Sequence, residues 1–230
     1  MKEILIPQEN ILDCSQLVAS SRIPSTRLSH QLGEVYIYSL FISGPIFNQY
    51  LKYALTFLSQ SELLRYSSYE DYYQGISFLL GRLLAKRGIA QHTGFHFSEI
   101  SINRYGPFGK PISSVAFFNL TRSGPFIVCA VSTTHDVGVD IELTNVTIDV
   151  LSINEYLRAS FPDFTPSLPE DCSSLSSFYA NWTRFEAISK LAGSGLTCNH
   201  GISICSRDYL LTFEYLDLTG HLCTLLNPLA

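Results

Sequence analysis

Apolar side chains recur along the chain with two different periods, which predicts a mixture of strands and helices. Residues 35–41 (Val-Tyr-Ile-Tyr-Ser-Leu-Phe) are rich in β-branched and aromatic side chains, a composition typical of a core strand. Residues 76–89 place apolar side chains at helical spacing over a broad face, and Gly88 is a residue type that commonly ends a helix. A second long helix is predicted over residues 178–191, where Gly193 follows.

Weaker periods predict shorter elements around these two helices. Strands are predicted over residues 99–103, 117–120, 126–131 and 137–142, and helices over residues 48–58, 61–66 and 148–160. The C-terminal end returns to strand-like patterns, whereas the first residues are Ser-rich and carry no clear period. The order strand, helix, strands therefore occurs twice and indicates an α+β protein of two similar halves, although no sequence repeat proves a duplication. We divide the chain into an N-terminal extension (1–31), an N-terminal half (32–131) and a C-terminal half (132–230).

Composition narrows the class of protein further. Of the 230 residues, 46% are hydrophobic and 15% are charged, which supports a substantial core and disfavours a disordered chain. No apolar run reaches the ~18 residues of a membrane span, and residues 1–7 do not resemble a secretion signal. The six cysteines form no C-x-x-C pair and match no zinc spacing, so we expect reduced thiols in a cytoplasmic protein. A net charge of −5 argues against a general nucleic-acid surface but allows a local basic pocket for a phosphorylated ligand.

Two acidic residues lie on the strand predicted over residues 137–142. Alternate residues of a strand share a face, so Val139 and Ile141 can be buried while Asp140 and Glu142 project together from the other side. Two neighbouring carboxylates repel each other unless a cation neutralises them, and a hard cation such as Mg²⁺ suits such a pair. Taken alone, this spacing is more typical of a solvated polar face on an edge strand.

A second group of polar residues lies on the last long helix. Glu186 and Lys190 are four positions apart and share a helix face, so both can reach a common ligand. Taken alone, the pair is more typical of an ordinary surface salt bridge, worth a few tenths of a kcal/mol.

Four motifs in a fixed order change this interpretation. They are Gly109-Lys110-Pro111, Phe118-Asn119-Leu120-Thr121-Arg122-Ser123-Gly124, Gly138-Val139-Asp140-Ile141-Glu142 and Trp182-Thr183-Arg184-Phe185-Glu186-Ala187-Ile188-Ser189-Lys190. Together they closely resemble the Sfp-type 4′-phosphopantetheinyl transferases, which show G-K-P, F-N-x-S-H-S-G, G-[IV]-D-x-E and W-[ST]-x-K-E-[AS]-x-x-K in this order. The pair Gly81-Arg82 also looks like the helical glycine–arginine pair of that family. The similarity covers roughly residues 35–205.

The resemblance implies an enzyme that moves the 4′-phosphopantetheine arm of coenzyme A onto a serine of a carrier protein. It implies two pseudo-symmetric α+β halves packed side by side, an active site in the cleft between them and a monomer. It also implies a Mg²⁺ ion held by Asp140, Glu142 and Glu186. Glu186 would also act as the base for the carrier serine, and Lys190 would offset charge on the leaving adenosine 3′,5′-bisphosphate.

Coenzyme A itself is expected to contact a set of polar and cationic residues. By the resemblance these are Arg82, Lys110, Pro111, Thr121, Arg122 and Lys190. Arg104 is a further candidate, for which a solvated surface charge is the favoured explanation. Expected partners are coenzyme A and an acyl, polyketide or peptidyl carrier protein, with no nucleic acid and no membrane. Arg184, Lys86 and Arg87 are candidate contacts for an acidic carrier.

Three residues depart from the family pattern. Thr121 stands where serine is usual and keeps a hydroxyl group for a phosphate or the adenine edge. Arg122 stands where histidine is usual; an arginine still grips phosphate but loses the pH sensitivity of histidine. Phe185 stands where lysine is usual, and it continues an apolar stripe through Phe178, Trp182, Ile188 and Ala192. These departures leave open a degenerate family member that binds coenzyme A or carrier protein without efficient transfer. A plain α+β domain with polar surface residues is the third possibility.

Overall fold

The computed structural model describes residues 25–30, 33–41, 51–105, 109–143, 150–160, 175–193, 210–216 and 220–226. Its helices are α1 (Leu51–Leu55), α2 (Gln60–Ser67), α3 (Tyr72–Thr93), α4 (Val150–Ser160) and α5 (Leu175–Ala192). Its strands are β1 (Ser25–His30), β2 (Gly33–Phe41), β3 (Asn103–Tyr105), β4 (Lys110–Ile112), β5 (Phe117–Ser123), β6 (Phe126–Ser132), β7 (Val137–Leu143), β8 (Leu210–Leu216) and β9 (Gly220–Leu226).

Three antiparallel sheets link the described strands. The largest has the order β1-β2-β6-β5, in which Tyr38 of β2 lies opposite Cys129 of β6. A second sheet has the order β7-β9-β8, and β3 pairs with β4 in a short two-stranded sheet. Mixed helices and antiparallel strands confirm the α+β class predicted from the sequence. The division into two similar halves near residue 132 stays a prediction.

The four-stranded sheet buries a different set of side chains on each face. One face packs against α3 through residues that include Tyr38, Leu40, Phe118, Ile127, Cys129 and Val131. The opposite face packs against β7, through Val35, Ile37, Val128 and Ala130 with Val137, Val139 and Ile141. Alternate residues of β2 and β6 point to opposite faces of the sheet, so each strand contributes side chains to the core against α3 and to the core against β7. This packing places β7 beside the four-stranded sheet.

Helix α3 is longer than predicted and ends at a different glycine. It begins after Asp71, whose carboxylate accepts a hydrogen bond from the backbone of Gln74 at 2.7 Å, and it ends at Gly94, which has φ +76°. Gly88, predicted to be the cap, lies buried inside the helix, so that prediction was wrong. A Cβ atom there would come within 2.9 Å of side-chain atoms of Tyr38 and Val131. The absence of a side chain lets the helix lie close on the sheet.

Other differences from the prediction lie at the ends of the chain and in short elements. Residues 25–30, placed in an extension without predicted structure, form β1 and pair with β2, with Ser25 opposite Tyr38. The strand predicted over residues 99–103 is a 3₁₀ turn (Phe97–Glu99) followed by β3. The C-terminal strands are confirmed as β8 and β9. None of the described helices is long and apolar enough to cross a bilayer.

Helix α5 packs on β7 and β9 and buries more than one side. Phe178, Phe185 and Ile188 of the predicted stripe are buried and Trp182 is half-buried, but Ala192 is exposed. A second row, Tyr179, Thr183, Ala187 and Leu191, is also buried. Because these two rows of side chains are both buried, α5 cannot rotate about its axis. Its polar side chains, among them Glu186 and Lys190, therefore have a fixed direction.

Candidate active site

Close packing between β7 and α5 brings the two acidic motifs together. A Cβ atom at Gly138 would lie 2.2 Å from the carbonyl oxygen of Ala187 and 2.9 Å from Cβ of Leu191, so only glycine fits. On the other side, the backbone N–H of Val139 donates to Oδ1 of Asn119 at 3.1 Å, which joins β7 to β5. Strand β7 is therefore fixed on both sides at the residues just before its carboxylates.

Three carboxylates converge at this point. One oxygen from each of Asp140, Glu142 and Glu186 lies within 4.8 Å of the other two. Glu142 accepts hydrogen bonds from Oγ of Ser123 at 2.9 Å and from the indole N–H of Trp182 at 3.4 Å. Strand spacing predicted the Asp140–Glu142 pair correctly, and the fold adds Glu186 from a helix.

Asp140 is the most buried of the three and has an unused oxygen. Its side chain is 1% exposed, and Oδ1 accepts hydrogen bonds from Thr121 at 2.8 Å and from Lys190. Oδ2 is buried and has no hydrogen-bond partner in the described part of the chain. Burial raises the pKa of Asp140 to about 7, Lys190 opposes this shift, and Glu186 adds to it. A buried acceptor among three carboxylates fits a hard divalent cation such as Mg²⁺.

Lys190 connects this cluster to its surroundings. Its ammonium group contacts Asp140, lies 3.2 Å from Oε2 of Glu186 and donates to Oγ1 of Thr121 at 3.1 Å. The i,i+4 ion pair with Glu186 is therefore present, but it is one contact among several, because Lys190 also reaches the neighbouring strands. A surface salt bridge alone does not describe this arrangement.

A cavity of about 340 Å³ adjoins the cluster and is rich in cations. Five basic side chains line it: Arg65, Arg82, Arg104, Arg122 and Lys190. Thr121 lines it too, so Thr121 and Lys190 belong both to the cavity wall and to the surroundings of Asp140. The five cations suit an anionic ligand, and Thr121 and Lys190 link its cavity to the carboxylate cluster.

Most of the residues predicted to contact coenzyme A line this cavity, and one does not. Arg82, Pro111, Thr121, Arg122 and Lys190 are at its wall. Lys110 is not: its ammonium group donates to the carbonyl oxygen of Leu191 at 2.9 Å and lies 3.6 Å from Asp136. Arg104, for which a surface charge was favoured, lines the cavity and also donates to the carbonyl of Gly109 at 2.9 Å.

Sequence reasoning missed the part of the wall that comes from α2 and the start of α3. Arg65 donates to the hydroxyl of Tyr69 at 3.3 Å, and its guanidinium lies 5.6 Å from the ring centroid of Phe78. Both rings line the cavity as well. No motif marks these residues, since they are joined to the rest of the site only through the fold.

Two further predictions concern residues outside the cavity. Phe185 is 6% exposed and its ring centroid lies 6.0 Å from that of Trp182, so it belongs to the core, as its place in the stripe predicted. Lys86 is buried and bonded within the protein, so its prediction as a carrier-docking residue was wrong. The side chain of Arg184, a further docking candidate, lies outside the described part of the structure.

Comparison with known proteins adds an independent line of observation. No protein-family model matches the chain. It is 30% identical over 165 residues to the 4′-phosphopantetheinyl transferase gsp of Aneurinibacillus migulanus, covering 68% of this chain and 66% of the relative. It is 26% identical over 171 residues to the 4′-phosphopantetheinyl transferase HetI of a Nostoc species, covering 71% and 70%.

A vertebrate relative matches over a shorter stretch. The chain is 32% identical over 136 residues to the L-aminoadipate-semialdehyde dehydrogenase-phosphopantetheinyl transferase of Xenopus laevis, covering 53% of this chain and 44% of the relative. The matched regions thus span 66%, 44% and 70% of these three relatives. With its α+β fold, its carboxylate cluster and these relatives, the chain belongs to the 4′-phosphopantetheinyl transferase family.

Proposed function

We propose that this protein transfers the 4′-phosphopantetheine group of coenzyme A to a serine of an apo carrier protein, with Mg²⁺, releasing adenosine 3′,5′-bisphosphate. The carrier is an acyl, polyketide or peptidyl carrier protein. The observation that carries the proposal is the cluster of Asp140, Glu142 and Glu186 beside an arginine-lined cavity. The cavity volume of about 340 Å³ lies within the range of small-molecule sites.

The cationic wall suits the phosphates of coenzyme A. Arg122 is exposed and lines the cavity. Its planar guanidinium can hold a phosphate through two parallel hydrogen bonds, which the histidine usual at this position in the family cannot form. Arg65, Arg82 and Arg104 add positive charge on the same wall. The side chains of Thr121 and Pro111 complete the contact surface. Lys110 has its ammonium group engaged inside the protein, which supports a role other than direct contact with the ligand.

The carboxylate cluster suits a Mg²⁺ ion. Asp140, Glu142 and Glu186 would hold it, and the unpaired Oδ2 of Asp140 provides a buried ligand atom. When bound, Mg²⁺ supplies positive charge beside the pyrophosphate of coenzyme A. The hydrogen bonds from Ser123 and Trp182 orient the carboxylate of Glu142 toward this point.

Glu186 and Lys190 are the proposed catalytic pair. The serine oxygen of the carrier attacks the phosphorus that bears the pantetheine arm, and Glu186 accepts the hydroxyl proton directly or through water. The bond between the attacked phosphorus and the bridging oxygen of the pyrophosphate breaks, and that oxygen leaves with adenosine 3′,5′-bisphosphate. Lys190 lies 3.2 Å from Glu186 and offsets the negative charge that develops on this leaving group.

Intact-mass measurement tests the transfer. The protein is incubated with apo carrier proteins of fatty-acid, polyketide and peptide synthesis, coenzyme A and Mg²⁺, and the mass of each carrier is recorded. We expect a gain of one phosphopantetheine group on at least one carrier, abolished by chelator and reduced about 10²-fold or more by Glu186→Gln. Glu155→Gln, which changes an exposed carboxylate on α4, is the matched control and should retain activity.

Binding measurements separate transfer from recognition. Trp182 is the only tryptophan in the sequence and its indole bonds to Glu142, so its fluorescence should report Mg²⁺ binding. Binding of coenzyme A and Mg²⁺ without transfer to any carrier would favour the degenerate family member. No binding of either would favour a plain α+β domain and would contradict the proposal.

A further inference from the structure

A buried carboxylate that takes no part in the proposed reaction lies behind the cavity wall. Glu62 is the third residue of α2 and is 4% exposed. Its Oε2 accepts hydrogen bonds from the backbone N–H of Ser59 at 2.9 Å and from the ammonium group of Lys86 at 3.0 Å. A buried carboxylate on a short helix requires compensating partners, and these are supplied mainly by the facing helix α3.

Arg82 is the second cation that faces Glu62. Its Nε lies 3.5 Å from Oε1 of Glu62, beyond good hydrogen-bond geometry but within an ion pair. The residue is 7% exposed, and its guanidinium lies 5.1 Å from the ring centroid of Phe78. Nε and Nη1 are buried without a hydrogen-bond partner in the described part of the chain. Arg82 also lines the cavity, so its positive charge lies beside an anion placed there.

Lys86 also neutralises Glu62, through the ion pair with Oε2. Its ammonium group also donates to the backbone carbonyl of Phe57 at 2.7 Å, and Lys86 does not line the cavity. Burial lowers the pKa of Arg82, and the negative charge of Glu62 opposes that shift. The charges of Glu62 and Lys86 thus nearly cancel, and Arg82 adds a positive charge at the cavity wall.

We infer that Glu62 is a positioning residue that holds the guanidinium of Arg82 at the cavity wall and thereby strengthens binding of the phosphate groups of the ligand. This inference rests on the proposed function, which supplies a polyphosphate ligand. Without the carboxylate, the flexible side chain of Arg82 would leave its buried place for water, and the ligand would have to recover that ordering on binding. A preorganised arginine avoids this cost.

A purely electrostatic effect of Glu62 would act in the opposite direction. Its negative charge lowers the positive potential of the cavity, so removing it should then tighten the binding of anions. Two variants separate these effects: Lys86→Met, and the double variant Glu62→Met with Lys86→Met. They differ only at Glu62. Positioning predicts that the double variant binds anions more weakly than Lys86→Met, whereas electrostatic potential alone predicts the reverse.

Calorimetric titration with adenosine 3′,5′-bisphosphate provides the measurement. We expect Lys86→Met to bind within about threefold of the wild type, and the double variant to bind roughly 10-fold more weakly than Lys86→Met. In transfer assays the KM for coenzyme A should rise in parallel while kcat at saturation stays within about twofold, because bound ligand is positioned normally. Adding Arg82→Met to both variants should remove the difference between them. Equal or tighter binding by the double variant would overturn the inference.

A conservative variant keeps the test valid if the double variant does not fold. Glu62→Asp preserves the charge but shortens the side chain by one methylene group, so the carboxylate reaches Arg82 less well. We expect a folded protein, checked by circular dichroism and thermal unfolding, that binds the nucleotide several-fold more weakly. Wild-type affinity in folded Glu62→Asp would contradict positioning. If the wild type binds the nucleotide but transfers nothing, the proposed reaction fails while the role of Glu62 is still decided by binding; if it does not bind the nucleotide, both fail.

Discussion

The ammonium group of Lys110 donates a hydrogen bond to the carbonyl oxygen of Leu191, 2.9 Å away, and joins strand β4 to the last turn of α5. The sequence motif predicted a contact between this lysine and coenzyme A. In the structure the lysine stabilises the C-terminal end of the helix that carries Glu186 and Lys190. A cation at this place also interacts favourably with the helix dipole.

Replacing Lys110 by Met should therefore lower the free energy of unfolding. It should also lower kcat by a larger factor than it raises the KM for coenzyme A. The lost charge-assisted hydrogen bond should cost about 1.5–3 kcal/mol in the free energy of unfolding, measured in urea. Lys52→Met, at an exposed site on α1, is the matched control and should change little. A higher KM with unchanged stability would instead support direct contact with the ligand.

Gly138 should tolerate no side chain. Gly138→Ala would place a methyl group against the backbone of Ala187 and push β7 away from α5, at a cost of about 3 kcal/mol. The separation of Asp140 from Glu186 should also weaken Mg²⁺ binding at least 10-fold, measured by the fluorescence of Trp182. Gly81→Ala is the stability control: its Cβ meets only atoms at 3.8 Å or beyond, and the helix should gain about 0.5–1 kcal/mol. A stable Gly138→Ala protein with normal Mg²⁺ affinity would show that this close approach is unimportant.

Restoring the usual family lysine at position 185 should not improve the enzyme. Phe185 is buried beside Trp182, so Phe185→Lys would bury an unpaired ammonium group and cost roughly 3–5 kcal/mol. Phe185→Leu, which keeps an apolar side chain, should cost less than about 1.5 kcal/mol and retain activity. Thermal unfolding and the transfer assay together check this prediction. Higher kcat in a folded Phe185→Lys variant would show that the lysine reaches the ligand.

Arg122→His should introduce a pH dependence into nucleotide binding. A histidine with an ordinary pKa of about 6.5 is cationic at pH 5.5 and neutral at pH 8, whereas arginine is charged at both. The ratio of the variant's Kd for adenosine 3′,5′-bisphosphate to that of the wild type should thus be near one at pH 5.5. It should rise roughly 10-fold at pH 8. Calorimetry without Mg²⁺ measures this ratio, and the same ratio at both pH values would remove Arg122 from the phosphate site.

Local patterns predicted much of the fold because they depend on neighbours in the sequence. The alternation of Val139 and Ile141 with Asp140 and Glu142 predicted one buried and one acidic face, and both apolar residues are buried. The same pattern did not show that Asp140 would also be buried, since that burial comes from the packing of other elements around β7. Strand β1 was missed because its polar sequence has no alternation, and its pairing with β2 supplies the structure.

The sequence by itself determined α5 and β7 as elements and the shared strand face of Asp140 and Glu142. The family motifs added Glu186 as an expectation, and the packing of α5 on β7 brings the three carboxylates together. Only the tertiary structure decided that Lys110 faces Leu191, that Arg65 joins the cavity and that Glu62 lies behind Arg82. Periodicity reports which face of one element is apolar, and it does so over a few residues. The partners of a long, flexible cationic side chain depend instead on how sheets and helices pack across the molecule. These partners are distant in the sequence, so no local pattern predicts them.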